Sequence, residues 1–91
     1  MRKAYAINYD LSAPNRDYAG LYEAIKSYPG WWHYLESTWL IAADSTPSQI
    51  WEKLKPHIDD NDSLLIIEVR NNVSGWLPKK AWEWIRKNVP D

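Results

Sequence analysis

Lys3-Ala4-Tyr5-Ala6-Ile7-Asn8-Tyr9-Asp10 reads as a strand that ends in a carboxylate. Tyr5, Ile7 and Tyr9 alternate with Ala4, Ala6, Asn8 and Asp10, and a period of two gives a strand two different faces. The large residues are expected against helices. The other face is small, then polar, and finishes in Asp10. A strand tolerates such a charge at its end where the charge reaches water, a metal or a partner surface.

Working outward, residues 11–17 are a turn by composition. A first helix is expected from Asn15 or Asp17, both suitable N-caps, to Tyr28. Tyr18, Leu21, Tyr22, Ile25 and Tyr28 form its apolar stripe, and Pro29-Gly30 ends it. Residues 31–44 hold too many aromatic and β-branched side chains to favour helix. They read as two strands, 32–36 and 38–43, with a reversal or bulge near Ser37. Thr46-Pro47-Ser48-Gln49 opens a second helix, with Thr46 as N-cap, Pro47 in the first position and Gln49 completing a capping box. Ile50, Trp51, Leu54 and Ile58 are its buried face, and Pro56 ends or kinks it.

Asp59-Asp60-Asn61-Asp62 reads as a solvated acidic turn; it lacks the Gly and terminal Glu of a Ca²⁺-binding loop. Residues 63–70 form the last strand, whose near-continuous apolar run is expected to be covered on both sides. After the loop 71–75, a terminal helix is expected over 76–88, entered through Pro78. Leu77, Ala81, Trp84 and Ile85 are its apolar face, and Lys79, Lys80, Arg86 and Lys87 its wet side. The order β-α-β-β-α-β-α predicts an α+β fold in one domain, 1–91. A ferredoxin-like βαββαβ core over 1–70 carries an extra C-terminal helix. The sheet face opposite the first two helices needs a cover, either the third helix or a second copy of the chain, which predicts a homodimer through the sheet.

Composition narrows the function classes. The 91 residues contain no cysteine, which excludes disulfides and thiolate metal sites and fits a reducing cytoplasm. No apolar run approaches the ~20 residues of a membrane span, and no long apolar stretch follows the first residues, so no signal peptide is expected. With a net charge of −1, contact with nucleic acid would have to come from a local basic cluster or through a metal. Seven Trp and six Tyr stand beside no Phe, an aromatic set suited to half-wet surfaces as well as cores.

Three segments carry a resemblance. Tyr9-Asp10-Leu11-Ser12 resembles the strand-end Tyr-Asp-aliphatic motif of the second CRISPR-associated (Cas) protein family. The segment Trp32-His33-Tyr34-Leu35-Glu36-Ser37-Thr38-Trp39-Leu40 looks like that family's second-strand region, with Ser37 at the place of its Ser. Asp60-Asn61-Asp62-Ser63-Leu64-Leu65-Ile66-Ile67 is similar to its acidic turn and last strand. Small SinR-like proteins and VapD-type toxins are similar in the same way, and Gly75-Trp76-Leu77-Pro78-Lys79-Lys80-Ala81-Trp82-Glu83-Trp84 looks more like the SinR-like group. The resemblance implies a ferredoxin-like homodimer in which a strand-end Asp from each subunit lies near a shared cleft and is associated with a divalent metal. Some members act as metal-dependent nucleases and others as scaffolds that hold DNA. The family's arginines around the first helix reduce here to Arg16.

The leading expectation is a metal-dependent nuclease-like protein in which Asp10 holds Mg²⁺ or Mn²⁺, since Mg²⁺ needs only one or two carboxylates plus waters and phosphate oxygens. Asn8, Ser12, Ser37 and Glu68 are candidates for the cleft or for orienting roles around it. Glu68 and Arg70 also read as an ordinary ion pair. His33 and His57 have no metal-ligand spacing. Arg16, Lys79, Lys80 and Trp82 are candidate nucleic-acid contacts through charge and stacking. The alternative is a non-catalytic dimeric module that binds RNA, DNA, a small nucleotide or a protein partner.

Overall fold

The structure is a computed structural model and describes residues 2–13 and 17–91. The expected N-cap Asn15 and the basic Arg16 lie outside the described residues. The elements are β1 (Lys3–Asp10), α1 (Ala19–Lys26), β2 (Gly30–His33), β3 (Thr38–Ala43), α2 (Pro47–Leu54), a 3₁₀ turn (Lys55–His57), β4 (Ser63–Val69) and α3 (Lys79–Asn88). The four strands form one sheet in the order β2-β3-β1-β4, and every neighbouring pair is antiparallel.

The alternation of β1 sets the two layers. Tyr5, Ile7 and Tyr9 pack with Leu21 and Ile25 of α1, Ile50 and Leu54 of α2, and Trp39 and Ile41 of β3. Each of these core positions from α1, α2 and β3 is buried, with Trp39 the largest. The small outer residues do the complementary job. Ala4 lies under Ile85 and Val89 beside Leu40, Val69, Leu77, Trp82 and Trp84. The third helix thus packs on the sheet of its own chain, as its short side chains there permit.

That cover stops halfway. On the outer face, Ala4 lies opposite Ala42 and Val69, whereas Asn8 lies opposite Thr38 and Leu65. Leu65 is 57% exposed and Ile67 46%. Covering of β4 on both sides is therefore corrected: Leu64 and Ile66 pack inward against the core, and alternation carries Leu65 and Ile67 to the uncovered half.

Several boundaries differ from expectation for local reasons. Helix α1 begins at Ala19, after the Asp17 carboxylate has accepted the Ala19 N–H. Strand β2 runs over Gly30–His33 rather than 32–36, because its register brings Gly30 opposite Ala42 and His33 opposite Trp39. A Cβ on Gly30 would meet that of Ala42 at 3.2 Å, so glycine permits this close approach. The chain then turns through residues 34–37, with the Thr38 N–H donating to the Leu35 carbonyl. Helix α2 starts as expected: Thr46 and Gln49 close both bonds of the capping box. Pro56 converts its end to the 3₁₀ turn. Helix α3 starts only after Pro78, which leaves Trp76 outside any helix or strand and 98% exposed.

Candidate functional site at the end of the first strand

Asp10 is exposed and stands opposite Ser63, the first residue of β4. It helps line a shallow groove of about 230 Å³ with Asn8, Tyr9, Ser63, Leu64 and Leu65. Among the described residues its carboxylate makes no hydrogen bond or ion pair, and no group of three His, Asp or Glu side chains gathers around it or elsewhere. Asn8, two residues back on the same face, is half-buried and accepts a hydrogen bond from the Thr38 hydroxyl at 3.0 Å. Thr38 and Ser37 therefore sit at the same end of the sheet as Asp10. The Ser37 carbonyl accepts the Tyr9 N–H at 3.1 Å, which pins the turn before β3 to the end of β1.

The other candidates are placed elsewhere. Glu68 lies opposite Tyr5, toward the far end of β4, and faces Lys3 at 4.0 Å and Arg70 at 3.7 Å. These are exposed pairs of small energetic weight. Ser12 is occupied: its N–H donates to Asp62 at 2.8 Å and its hydroxyl to the Asn61 carbonyl at 2.8 Å. Lys79 and Lys80 are exposed at the start of α3, while Trp82 is half-buried against the Ala4 cluster. His33 stacks on Trp39, ring centroids 3.8 Å apart, and so sits on the helix side of the sheet.

Behind Asp10 the inner face is tightly tied. Trp39 donates its indole N–H to the Tyr9 hydroxyl at 2.9 Å. The Tyr9 ring lies 6.3 Å from that of Tyr22, which in turn stacks on Trp39 at 6.0 Å. Burial raises the Tyr9 phenol above its ordinary value, partly offset by the Trp39 donor. The strand end carrying Asp10 is thus fixed by packing on one side and open on the other.

The sequence reading missed the most connected carboxylate in this region. Asp62 belongs to the turn expected to be merely solvated. It accepts the N–H groups of Ser12 at 2.8 Å and Asp59 at 2.7 Å, and the Tyr18 hydroxyl at 2.7 Å. Tyr18 in turn accepts the Ala13 N–H at 3.3 Å. Burial by itself would raise the Asp62 carboxyl. The Asp59 and Ser12 amides and the Tyr18 hydroxyl outweigh it and hold the group below its ordinary value. One side chain thereby joins the segment after β1, the entry to α1 and the turn before β4. The available signal was the Asp59-to-Asp62 spacing, which suits a side chain bonding back to a turn amide.

Within one chain, Asp10 offers one carboxylate and Asn8 one amide whose oxygen is already engaged. This fits a hard divalent ion only as half of a site, with waters and a second chain's oxygens supplying the rest. No protein-family model matches this chain, and neither a curated protein nor a solved structure does.

Proposed function

We propose that the chain is a ferredoxin-like homodimer whose two Asp10 carboxylates share a Mg²⁺ or Mn²⁺ ion and support cleavage of phosphodiester bonds, in the manner of the CRISPR-associated and VapD-type proteins it resembles. The observation that carries the reading is a carboxylate without a partner among the described residues, held on a packed strand end at the rim of an uncovered half-sheet. The strand order β2-β3-β1-β4 with all neighbours antiparallel supports the ferredoxin-like assignment. The uncovered Leu65 and Ile67 support a second copy at that face. Bound between two carboxylates, a divalent ion would polarise a phosphoryl oxygen and lower the pKa of a bound water. The chain's own part is to position Asp10 through the Tyr9–Trp39 contact and to leave its carboxylate unpaired. RNA or DNA in the cytoplasm is the proposed substrate, with Lys79 and Lys80 as outlying positive charges.

A second reading is a non-catalytic dimeric module that holds nucleic acid, a small nucleotide or a protein. It is favoured by the lining of the groove, in which Asp10 is the one carboxylate among the described residues. Cleavage of single- and double-stranded RNA and DNA with Mg²⁺ or Mn²⁺ separates the two. Metal-dependent cutting by the wild type, reduced at least 100-fold in Asp10→Asn, is expected from loss of a direct metal ligand, on the order of 3 kcal/mol of transition-state stabilisation. Equal activity in both proteins removes Asp10 from the chemistry. Specific binding without cleavage by either leaves the module.

A further inference from the structure

The C-terminal helix gathers positive charge in a chain that is acidic elsewhere. Lys79, Lys80, Arg86 and Lys87 stand among its ten residues against one acid, Glu83, while the chain as a whole carries −1. All four are exposed, and none makes an ion pair or hydrogen bond among the described residues. They lie on the side opposite the buried Ala81 and Ile85. Two of them do nothing for the helix itself: Lys79 and Lys80 occupy its first turn, where the dipole favours acids and none is present. Just ahead of them Trp76 is 98% exposed, outside any helix or strand. Leu77 lines a groove with Tyr34 and Thr38, and Thr38 is bonded to Asn8. This end of α3 therefore lies toward the Asp10 end of the outer face. Tyr34, on the same groove, is 59% exposed.

We infer that the outer side of α3, led by Trp76, is a binding surface for single-stranded nucleic acid. The inference rests on the nucleic-acid reading proposed above, and names the form of the substrate and the surface that holds it. Single strands are gripped by cations along the backbone and by aromatic rings on which unpaired bases stack. The helix supplies the first: its two basic pairs, Lys79 with Lys80 and Arg86 with Lys87, stand about 10 Å apart along the axis at ~1.5 Å per residue, so one strand can lie across both. Trp76 supplies the second, with Tyr34 as a further ring. A duplex keeps its base faces stacked inside, and an exposed indole gains nothing from it except at an end. A lipid surface fits the same charges less well. A helix that lies in a membrane interface buries its apolar face there, whereas α3 has already committed that face to Ala4 through Ile85 and Val89. What it shows outward is charge and, at its entrance, a single bare ring.

The decisive experiment is fluorescence anisotropy of a labelled oligothymidylate and of a labelled mixed-sequence duplex, each titrated with the protein in EDTA. It reads binding apart from any metal or cleavage. The single strand should bind roughly tenfold tighter than the duplex, as stacking on exposed rings requires. With four cations engaged, the logarithm of affinity should fall with that of salt at a slope of about −3, from ~0.7 per phosphate contact on a single strand. Lys79→Gln with Lys80→Gln should make the slope shallower by about 1.4. Trp76→Ala should weaken binding roughly fivefold or more and leave the slope unchanged, the loss expected for one stacked base. All three positions are exposed, and the variants should keep the far-ultraviolet circular dichroism of the wild type. Equal or tighter binding of the duplex overturns the inference, as does unchanged affinity in Trp76→Ala. Binding to phosphatidylserine vesicles in place of either oligonucleotide overturns it in favour of a lipid surface, and binding to none of the three overturns it outright. The two proposals fail separately. Single-strand binding with these slopes in a protein that cuts nothing with Mg²⁺ or Mn²⁺ upholds this surface and removes the Asp10 chemistry. Metal-dependent cutting at an undiminished rate in both α3 variants upholds Asp10 and overturns this surface.

Discussion

Replacing Asp62 with alanine tests whether a polar side chain in an ordinary-looking turn holds the two ends of the fold together. The carboxylate accepts three bonds of good length, from Ser12 N–H, Asp59 N–H and the Tyr18 hydroxyl. The Ser12 hydroxyl, at 3.5 Å, is too long to count. Bonds to a charged group contribute about 1.5–3 kcal/mol each where water is excluded. Here the site is half-exposed, water replaces part of what is lost, and the total is expected near 2 kcal/mol. In urea, with a slope of about 1 kcal/mol per molar, the midpoint falls by roughly 2 M. The melting temperature falls by roughly 8–15 °C for a domain of this size. Asp60→Ala, two residues earlier in the same turn, is the control and should change stability by less than about 0.5 kcal/mol. The pH dependence follows from the depressed carboxyl. Asp62 adds stability that is fully present above its ordinary value of 3.8 and is lost as pH falls through the lower folded value. The wild type should therefore lose its advantage over Asp62→Ala in acid, and the two unfolding curves should converge below that range. Equal stability of Asp62→Ala and Asp60→Ala at neutral pH would refute the reasoning.

Other outcomes follow from single contacts. Tyr9→Phe removes the acceptor of the buried Trp39 indole N–H and should cost about 1–2 kcal/mol by urea denaturation. Gly20→Ala gains helix propensity, but the new Cβ meets Nδ1 of His57 at 2.7 Å. The substitution should be near neutral in the wild type and stabilising by about 1 kcal/mol in His57→Ala, a coupling that a double-mutant cycle reads directly. Asp10→Asn should leave thermal stability within about 0.5 kcal/mol of the wild type, since the exposed carboxylate has no partner among the described residues. If the proposed dimer forms through this face, Leu65→Lys with Ile67→Lys should shift sedimentation toward monomer and leave the folded monomer intact, because both side chains already face water.

The parts of the fold legible in the sequence were those where one local rule sufficed. Tyr5, Ile7 and Tyr9 declared the core face by alternation alone, and the Thr46–Gln49 capping box fixed the start of α2 to the residue. Where two rules competed, reading failed. The run Leu64-Leu65-Ile66-Ile67 is apolar on both faces, so composition suggested double cover; the half-sheet left bare by α3 decided otherwise. Trp32 was expected to open a strand running to Glu36, but the register set by Gly30 against Ala42 starts that strand two residues earlier. The candidate site was legible as a residue type at a strand end and no further. That Glu68 lies toward the far end of β4, and that Ser12 is engaged by the 61–62 turn, depend on strand pairing and turn closure between segments some 50 residues apart.

The outer face of the sheet is where these threads meet. Ala4 is small because α3 lies on it, and that helix brings Ile85, Val89 and Trp84 down over one half. The other half is built differently: Asn8 is tied to Thr38, Asp10 has no partner among the described residues, and Leu65 and Ile67 remain in water. A domain of this size has little stability to spare, and burying the exposed leucine and isoleucine would each contribute roughly 1 kcal/mol. Had the chain needed only to fold, a longer C-terminal helix or polar residues at 65 and 67 would have answered at no cost to the core. The half-cover instead keeps an apolar surface on the face that carries Asp10, whose carboxylate has no partner among the described residues. In the proposed dimer a second copy would bury the first and supply oxygen ligands beside the second. Both features are what the proposed dimer would use, although they arise from different segments of the chain.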